Sequence, residues 1–180
     1  MTLLVVVTGP PASGKTTIAE RLAVEFSLPL VAKDGMKEVL YETLGAADVE
    51  ASKRLGVTAF MLVWHVLDQE LRTGRSVIAE GNFNAARAAN LERLRERYTF
   101  DVIQIVCRAP REELRARYGS RSRHPGHFDQ VRVQDDALFE TDLYILPLDI
   151  PTTHVDTMQA EAYSAARETV GSALEREKTP

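Results

Sequence analysis

The chain of 180 residues has a single cysteine, Cys107, which excludes an internal disulfide and a thiolate metal site. A reducing, cytoplasmic compartment is the corresponding expectation. It has no run of 18 apolar residues. The apolar stretch from Leu3 to Val7 lacks a basic flank and is too short for a signal sequence or a membrane span, so no membrane association is expected. It has no excess of positive charge. With 22 Lys and Arg against 26 Asp and Glu, the net charge of −4 excludes a protein that coats nucleic acid by bulk charge. Internal repeats and low-complexity tracts are also missing. With 44% hydrophobic and 27% charged residues, the composition is that of a globular protein, and the length predicts one domain spanning residues 1–180.

Within that frame, strand and helix patterns alternate. Leu3–Val7 is a continuous, largely β-branched run, the pattern of a strand buried on both faces of a parallel sheet. A helix is predicted over Lys15–Phe26, with Ile18, Ala19, Leu22 and Phe26 on one face. Leu30–Ala32 reads as a second strand, followed by a helix that opens at Asp34 and ends near Gly45. The 3.6-residue period continues from Val49 to Arg72, where Val57, Phe60, Met61, Trp64, Leu67 and Leu71 are predicted to face the core, with His65 packed among them. Strands are further expected at Ser76–Ala79, Asp101–Cys107 and Thr152–Val155. Helices are expected at Ala85–Tyr98, Pro110–Tyr118, Gln130–Phe139 and Met158–Glu175. Residues 119–128 have no apolar period and read as a loop. The alternation predicts an α/β fold of three layers, a mainly five-stranded parallel sheet with helices on both faces.

The first strand runs into Gly9-Pro10-Pro11-Ala12-Ser13-Gly14-Lys15-Thr16, which fits G-x-x-x-x-G-K-[ST], the P-loop. The glycines let successive backbone N–H groups point into one concavity, and the helix that starts at Lys15 adds the positive end of its dipole. Lys15 is expected to reach the β- and γ-phosphates, and the Thr16 hydroxyl to ligate Mg²⁺. Thr17 is placed for a contact on the α-phosphate side. ATP with Mg²⁺ is the expected cofactor pair, because no N-K-x-D guanine signature occurs.

A P-loop binds nucleotide; what receives the phosphoryl group depends on other residues. Asp34 follows the second strand, where ligands collect in parallel sheets, and a carboxylate there suits a general base or a helix cap. Lys37, one turn on, is a candidate to hold an anionic acceptor. Glu80 closes the third strand in Glu80-Gly81-Asn82-Phe83-Asn84. It is a candidate for Mg²⁺ through water or for the acceptor, and Asn82 is a weaker acceptor contact. Arg108, Arg111, Arg115, Arg117, Arg121 and Arg123 fall within 16 residues. Arg111 and Arg115 suit a solvated helix face. Arg117, Arg121 and Arg123 are the candidates to stabilise the transferring phosphoryl group, from a small lid at about residues 115–140. His124 and His127 make a poor metal site and read as a rigid turn or a substrate contact.

These residues resemble the P-loop kinases of the nucleoside-monophosphate-kinase-like group. More narrowly, the chain resembles small kinases classed with AAA-family ATPases, zeta-toxin-like proteins and the kinase domain of polynucleotide 5′-hydroxyl kinases. The resemblance to the last implies an acidic base at Asp34 and an acceptor clamp at position 37, where Lys37 stands for that family's arginine. Glu80 stands for its aspartate after the third strand, and Arg117 and Arg121 fit its pair of lid arginines four apart. The segment Ile150–Thr157 matches its final strand and the loop beside adenine in position.

The expectation is therefore an ATP- and Mg²⁺-dependent kinase acting on a hydroxyl of a small molecule. A polynucleotide 5′-hydroxyl or nucleotide kinase, with a nucleic-acid end as partner, and a nucleotide-binding regulatory module are the alternatives. Charge distribution sharpens this. Residues 87–123 hold ten arginines against five acids, whereas residues 124–180 hold four basic and eleven acidic side chains. The mild overall acidity averages a basic phosphate-handling region and an acidic flank.

Overall fold

The computed structural model describes residues 2–121, 124–128 and 135–178. Five strands form one sheet: β1 (Thr2–Thr8), β2 (Leu30–Ala32), β3 (Val77–Glu80), β4 (Phe100–Arg108) and β5 (Thr152–Asp156). Their spatial order is β2-β3-β1-β4-β5, and every pairing is parallel. The β-branched run of β1 lies at the centre because all seven of its residues are buried, which only a strand covered on both faces allows.

Alternate residues of β1 serve opposite layers. Leu4 and Val6 pack with α3 (Val49–Arg72) and α4 (Ala88–Arg97), through Phe60, Trp64, Leu67, Leu91 and Leu94. Leu3, Val5 and Val7 pack with α1 (Lys15–Phe26) and the C-terminal helix α6 (Ala162–Lys178), through Ile18, Leu22 and Val170. Two further helices are present among the described residues: α2 (Lys33–Leu44), which begins directly at the end of β2, and α5 (Arg111–Ser120). α2 and α3 form an antiparallel pair. Gly45, at φ +69°, ends the first, and the Asp48 side chain caps the second by accepting from the Ala51 N–H at 2.7 Å.

The structure corrects the expected elements in several places. On α3, Val57 is 52% exposed and Met61 67% exposed, and His65 faces solvent; the buried stripe runs through Leu55, Ala59, Phe60, Val63, Trp64, Leu67 and Leu71. Ala59 and Val63 lie on the inner face with Phe60, Trp64, Leu67 and Leu71, so the stripe is turned away from Val57 and Met61. Residues Ala85–Arg87 form a 3-10 turn before α4, and α6 starts at Ala162 rather than at Met158. The stretch expected as a loop contains a 3-10 turn at Pro125–His127. Of the helix expected over Gln130–Phe139, a 3-10 turn at Asp136–Phe139 is present, and residues 129–134 lie outside the described residues. Asp34 falls in the first turn of α2, and the capping position is Ala32, so Asp34 is not the cap. Among the described residues, no helix is long and apolar enough to cross a membrane.

Candidate active site

All five strands end at the same edge of the sheet. The order reverses around β1, with β3 on one side and β4 on the other, the place where ligands bind in parallel α/β sheets. The loop from Gly9 to Gly14 occupies that edge. Gly9 has φ +143°, Ala12 +65° and Gly14 +80°, and Gly14 is the N-terminal cap of α1. A Cβ on Gly9 would lie 2.2 Å from the Cys107 carbonyl oxygen, so only glycine fits between the loop and β4. The Ser13 N–H donates to the Pro10 carbonyl at 3.3 Å, and the Asn82 amide donates to the Gly9 carbonyl at 2.9 Å. Ser13 Oγ is buried in the cradle without a hydrogen-bond partner. Such a concavity of backbone N–H groups at a helix N-terminus fits a polyphosphate.

Lys15 is 5% exposed, and its ammonium donates to the Pro10 carbonyl at 3.2 Å. Thr16 and Thr17 are exposed to a cleft of about 490 Å³ that Lys15 and Gly14 also line. Asp34 also lines this cleft, brought there because α2 starts without a linker after β2. Its carboxylate is paired with the Lys33 ammonium at 2.8 Å.

Arg117 and Arg121 line the same cleft with Ser120. Arg117 bonds to the Glu113 carboxylate at 2.6 Å and to the Thr157 hydroxyl at 3.2 Å, and Thr157 also packs against Gly14. The Arg121 guanidinium lies 4.8 Å from the centre of the Tyr118 ring. Arg111 and Arg115 instead pair with Glu140 and Asp136, outside the cleft. Arg123 lies outside the described residues.

Three expected residues do not line this cleft. Glu80 is 1% exposed at the end of β3, in register with Val7 and Ala32 beneath the loop. Asn82 braces Gly9. Lys37, 4% exposed, turns to a neighbouring cavity and donates to Ser52 Oγ at 2.7 Å. Ser52 donates in turn to the Gly126 carbonyl at 2.7 Å. The segment after α5 thus docks on α2 and α3. His127 Nε2 meets Glu38 Oε1 at 2.8 Å, and His124 lies edge-on to the Tyr41 ring with centroids 5.2 Å apart. These histidines hold that segment in place and form no metal cluster, since none of three or more His, Cys, Asp or Glu occurs among the described residues. Lys33, Ser52 and Arg87 carry no local motif and were not among the expected site residues; Phe60 was expected only in the core and Thr157 only as part of the segment beside adenine. Cys107 is buried beneath the loop, and burial pushes its thiol up to about 12, which makes it chemically inert at neutral pH.

Comparison with known proteins adds to this geometry. A family model described as an AAA domain matches residues 4–140. A "putative kinase" from Chloroflexus aurantiacus is 35% identical, with a TM-score of 0.82 over 96% of this chain and 97% of its own. A sugar kinase from Janibacter is 22% identical, with a TM-score of 0.59 over 97% of this chain and 95% of its own. A gluconokinase from Sinorhizobium meliloti is 16% identical, with a TM-score of 0.54 over 99% and 98%. The last two show the shared fold alone. No curated protein sequence matches the chain.

Proposed function

The chain belongs to the AAA domain family and has the fold of the P-loop kinases of the nucleoside-monophosphate-kinase-like group; from that premise we propose that it transfers the γ-phosphoryl group of ATP to a hydroxyl of a small molecule. One observation carries this reading: Lys15 and Thr16 of the P-loop share a single cleft with the carboxylate of Asp34 and the guanidinium groups of Arg117 and Arg121. Nucleotide binding alone does not call for a carboxylate opposite the phosphate cradle. The sugar kinase and the gluconokinase, which share the fold, act by name on small hydroxyl compounds, in keeping with a small acceptor.

In the proposed reaction Asp34 accepts the proton of the acceptor hydroxyl as its oxygen bonds to the γ-phosphorus. The bond from that phosphorus to the β,γ-bridging oxygen breaks in line, and ADP leaves with the electron pair. Lys15 offsets charge on the phosphates, and Arg117 and Arg121 offset charge on the transferring group from the rim, as a lid that excludes water. Mg²⁺, when bound, supplies further charge neutralisation along the phosphates. The Thr16 hydroxyl and, through water, Glu80 are the residues to hold it. Thr16 lines the cleft and Glu80 lies buried at the end of β3, level with Val7 just before the loop; both are hard oxygen donors, and Mg²⁺ needs no more than one or two protein oxygens when phosphates supply the rest.

The test is a transfer assay with γ-labelled ATP against sugars, amino-sugar alcohols, nucleosides and 5′-hydroxyl oligonucleotides. Lys15→Ala is expected to abolish transfer with the fold intact by circular dichroism. Asp34→Asn is expected to lower kcat by about 10²-fold or more with ATP binding retained. Unchanged turnover in Lys15→Ala refutes the reading.

A further inference from the structure

A second cavity, of about 250 Å³, adjoins the first at Lys33 and Asp34. It opens between the start of α2, the first half of α3 and the turn after β3. Its charged lining is basic throughout: Lys33, Lys37, Lys53 and Arg87. Lys33 pairs with Asp34 at 2.8 Å and Lys53 with Glu50 at 3.7 Å. Lys37 is buried and donates to the Ser52 hydroxyl at 2.7 Å.

Arg87 is different. Its guanidinium carbon lies 4.3 Å from the centre of the Phe60 ring, and its Nε is buried without a hydrogen-bond partner. Burial lowers its pKa from the usual arginine value. The guanidinium is partly withdrawn from water, with its Nε fully buried and unpartnered, and a bound anion offsets that cost. The ring beneath it holds the fork in one orientation, the arrangement that suits bidentate contact with a carboxylate or a phosphate. Phe60 is itself fixed edge-on against Phe83, with centroids 5.5 Å apart, so the platform belongs to the core.

We propose that this cavity is an anion subsite of the acceptor, with Arg87 as its anchor and Lys37 beside it. The acceptor then carries a carboxylate or a phosphate as well as the hydroxyl that meets Asp34. This rests on the kinase reading above. The spacing suits one small molecule, because Asp34 and Lys37 are separated by about 4.5 Å of helix rise. The basic lining repels cationic amino sugars and offers neutral polyols no counter-charge.

The experiment compares glucose, glucosamine, gluconate and glucose 6-phosphate as acceptors, with wild type, Arg87→Met and Arg87→Lys. A parallel NMR titration follows binding of sulfate and of acetate to the ADP-saturated protein. The anionic sugars are expected to exceed glucose at least tenfold in kcat/KM, and glucosamine to be the poorest. Whichever of gluconate and glucose 6-phosphate leads identifies the anion. Arg87→Met is expected to raise KM for the anionic acceptor at least tenfold with KM for ATP unchanged, and to abolish anion binding; Arg87→Lys recovers part of both. Glucose turned over as well as its anionic relatives, with anion binding indifferent to Arg87, overturns the subsite and leaves the kinase standing. Arg87-dependent anion binding with no transfer to any acceptor in either screen overturns the kinase reading and leaves the subsite.

Discussion

The two cavities that meet at Lys33 and Asp34 are built from different material. The larger has a floor of backbone: Gly9, Ala12 and Gly14 of its loop hold positive φ, and Asn82 and Pro10 brace that loop through its main-chain groups. The smaller is walled by side chains on helices, with Lys37 held by Ser52 and Arg87 laid on Phe60. A backbone cradle suits the part of a reaction that never varies, a polyphosphate. A pocket of helix side chains can change its ligand by substitution without refolding the loop beside it. The difference teaches that the P-loop is held by main-chain geometry, whereas the smaller cavity is assembled from side chains of α2, α3 and the turn after β3.

The largest expected effect breaks the backbone wall. In Gly9→Ala the new methyl meets the Cys107 carbonyl at 2.2 Å and Ser13 Oγ at 2.8 Å, at a φ of +143° that side chains rarely adopt. The strain and the forced shift together cost about 3 kcal/mol or more. That corresponds to a fall in Tm of about 6–12 °C for a domain of this size. Thermal denaturation and ATP titration are expected to show lower stability and ATP binding weakened at least tenfold. A variant with wild-type Tm and ATP affinity shows that the cradle is not fixed by its backbone.

This contrast also explains what could be read from the letters. The P-loop was legible because positive φ and close approach demand glycine at Gly9 and Gly14, so geometry leaves a mark in the sequence. The central strand was legible because burial on both faces demands an unbroken apolar run. The position of Asp34 at the mouth of the cleft followed from its place after β2. The surroundings of Lys37 did not follow: helical spacing set it beside Asp34, yet it lines the neighbouring cavity and its ammonium donates to Ser52 on a different helix. Asn82, read as an acceptor contact, spends its amide on Gly9. Arg87 could not be found at all, because its meaning depends on Phe60, which is 27 positions earlier and packed through Phe83. Side-chain pockets are assembled from distant residues with no spacing rule, whereas a backbone loop is written in consecutive letters.

A smaller effect is expected from the side-chain wall. Ser52 accepts from Lys37 and donates to the Gly126 carbonyl, so Ser52→Ala removes two buried hydrogen bonds at once. A loss of about 1–3 kcal/mol follows from leaving buried polar groups short of partners. The kinetic signature separates the two cavities: KM for the acceptor rises severalfold while KM for ATP stays at the wild-type value. Equal changes in both constants mean that the cavities do not act independently, and the comparison drawn above fails.

The smallest effect belongs to the side of α3 that neither cavity uses. Met61 follows Phe60 directly, and helical periodicity assigned both to the core, but Phe60 is 5% exposed and Met61 67% exposed. Neighbouring residues on a helix point about 100° apart, so the side chain that walls the acceptor cavity and the one that follows it face different surroundings. Met61→Ser removes little buried area and leaves no polar group unpaired. It is therefore expected to change stability by less than about 0.5 kcal/mol, the usual range for surface substitutions. Both KM values should stay at wild type. Urea denaturation and steady-state kinetics on the same preparation check both statements. A destabilisation above that range would mean that the outer face of α3 is covered in solution, and the acceptor wall would then have support from outside the chain.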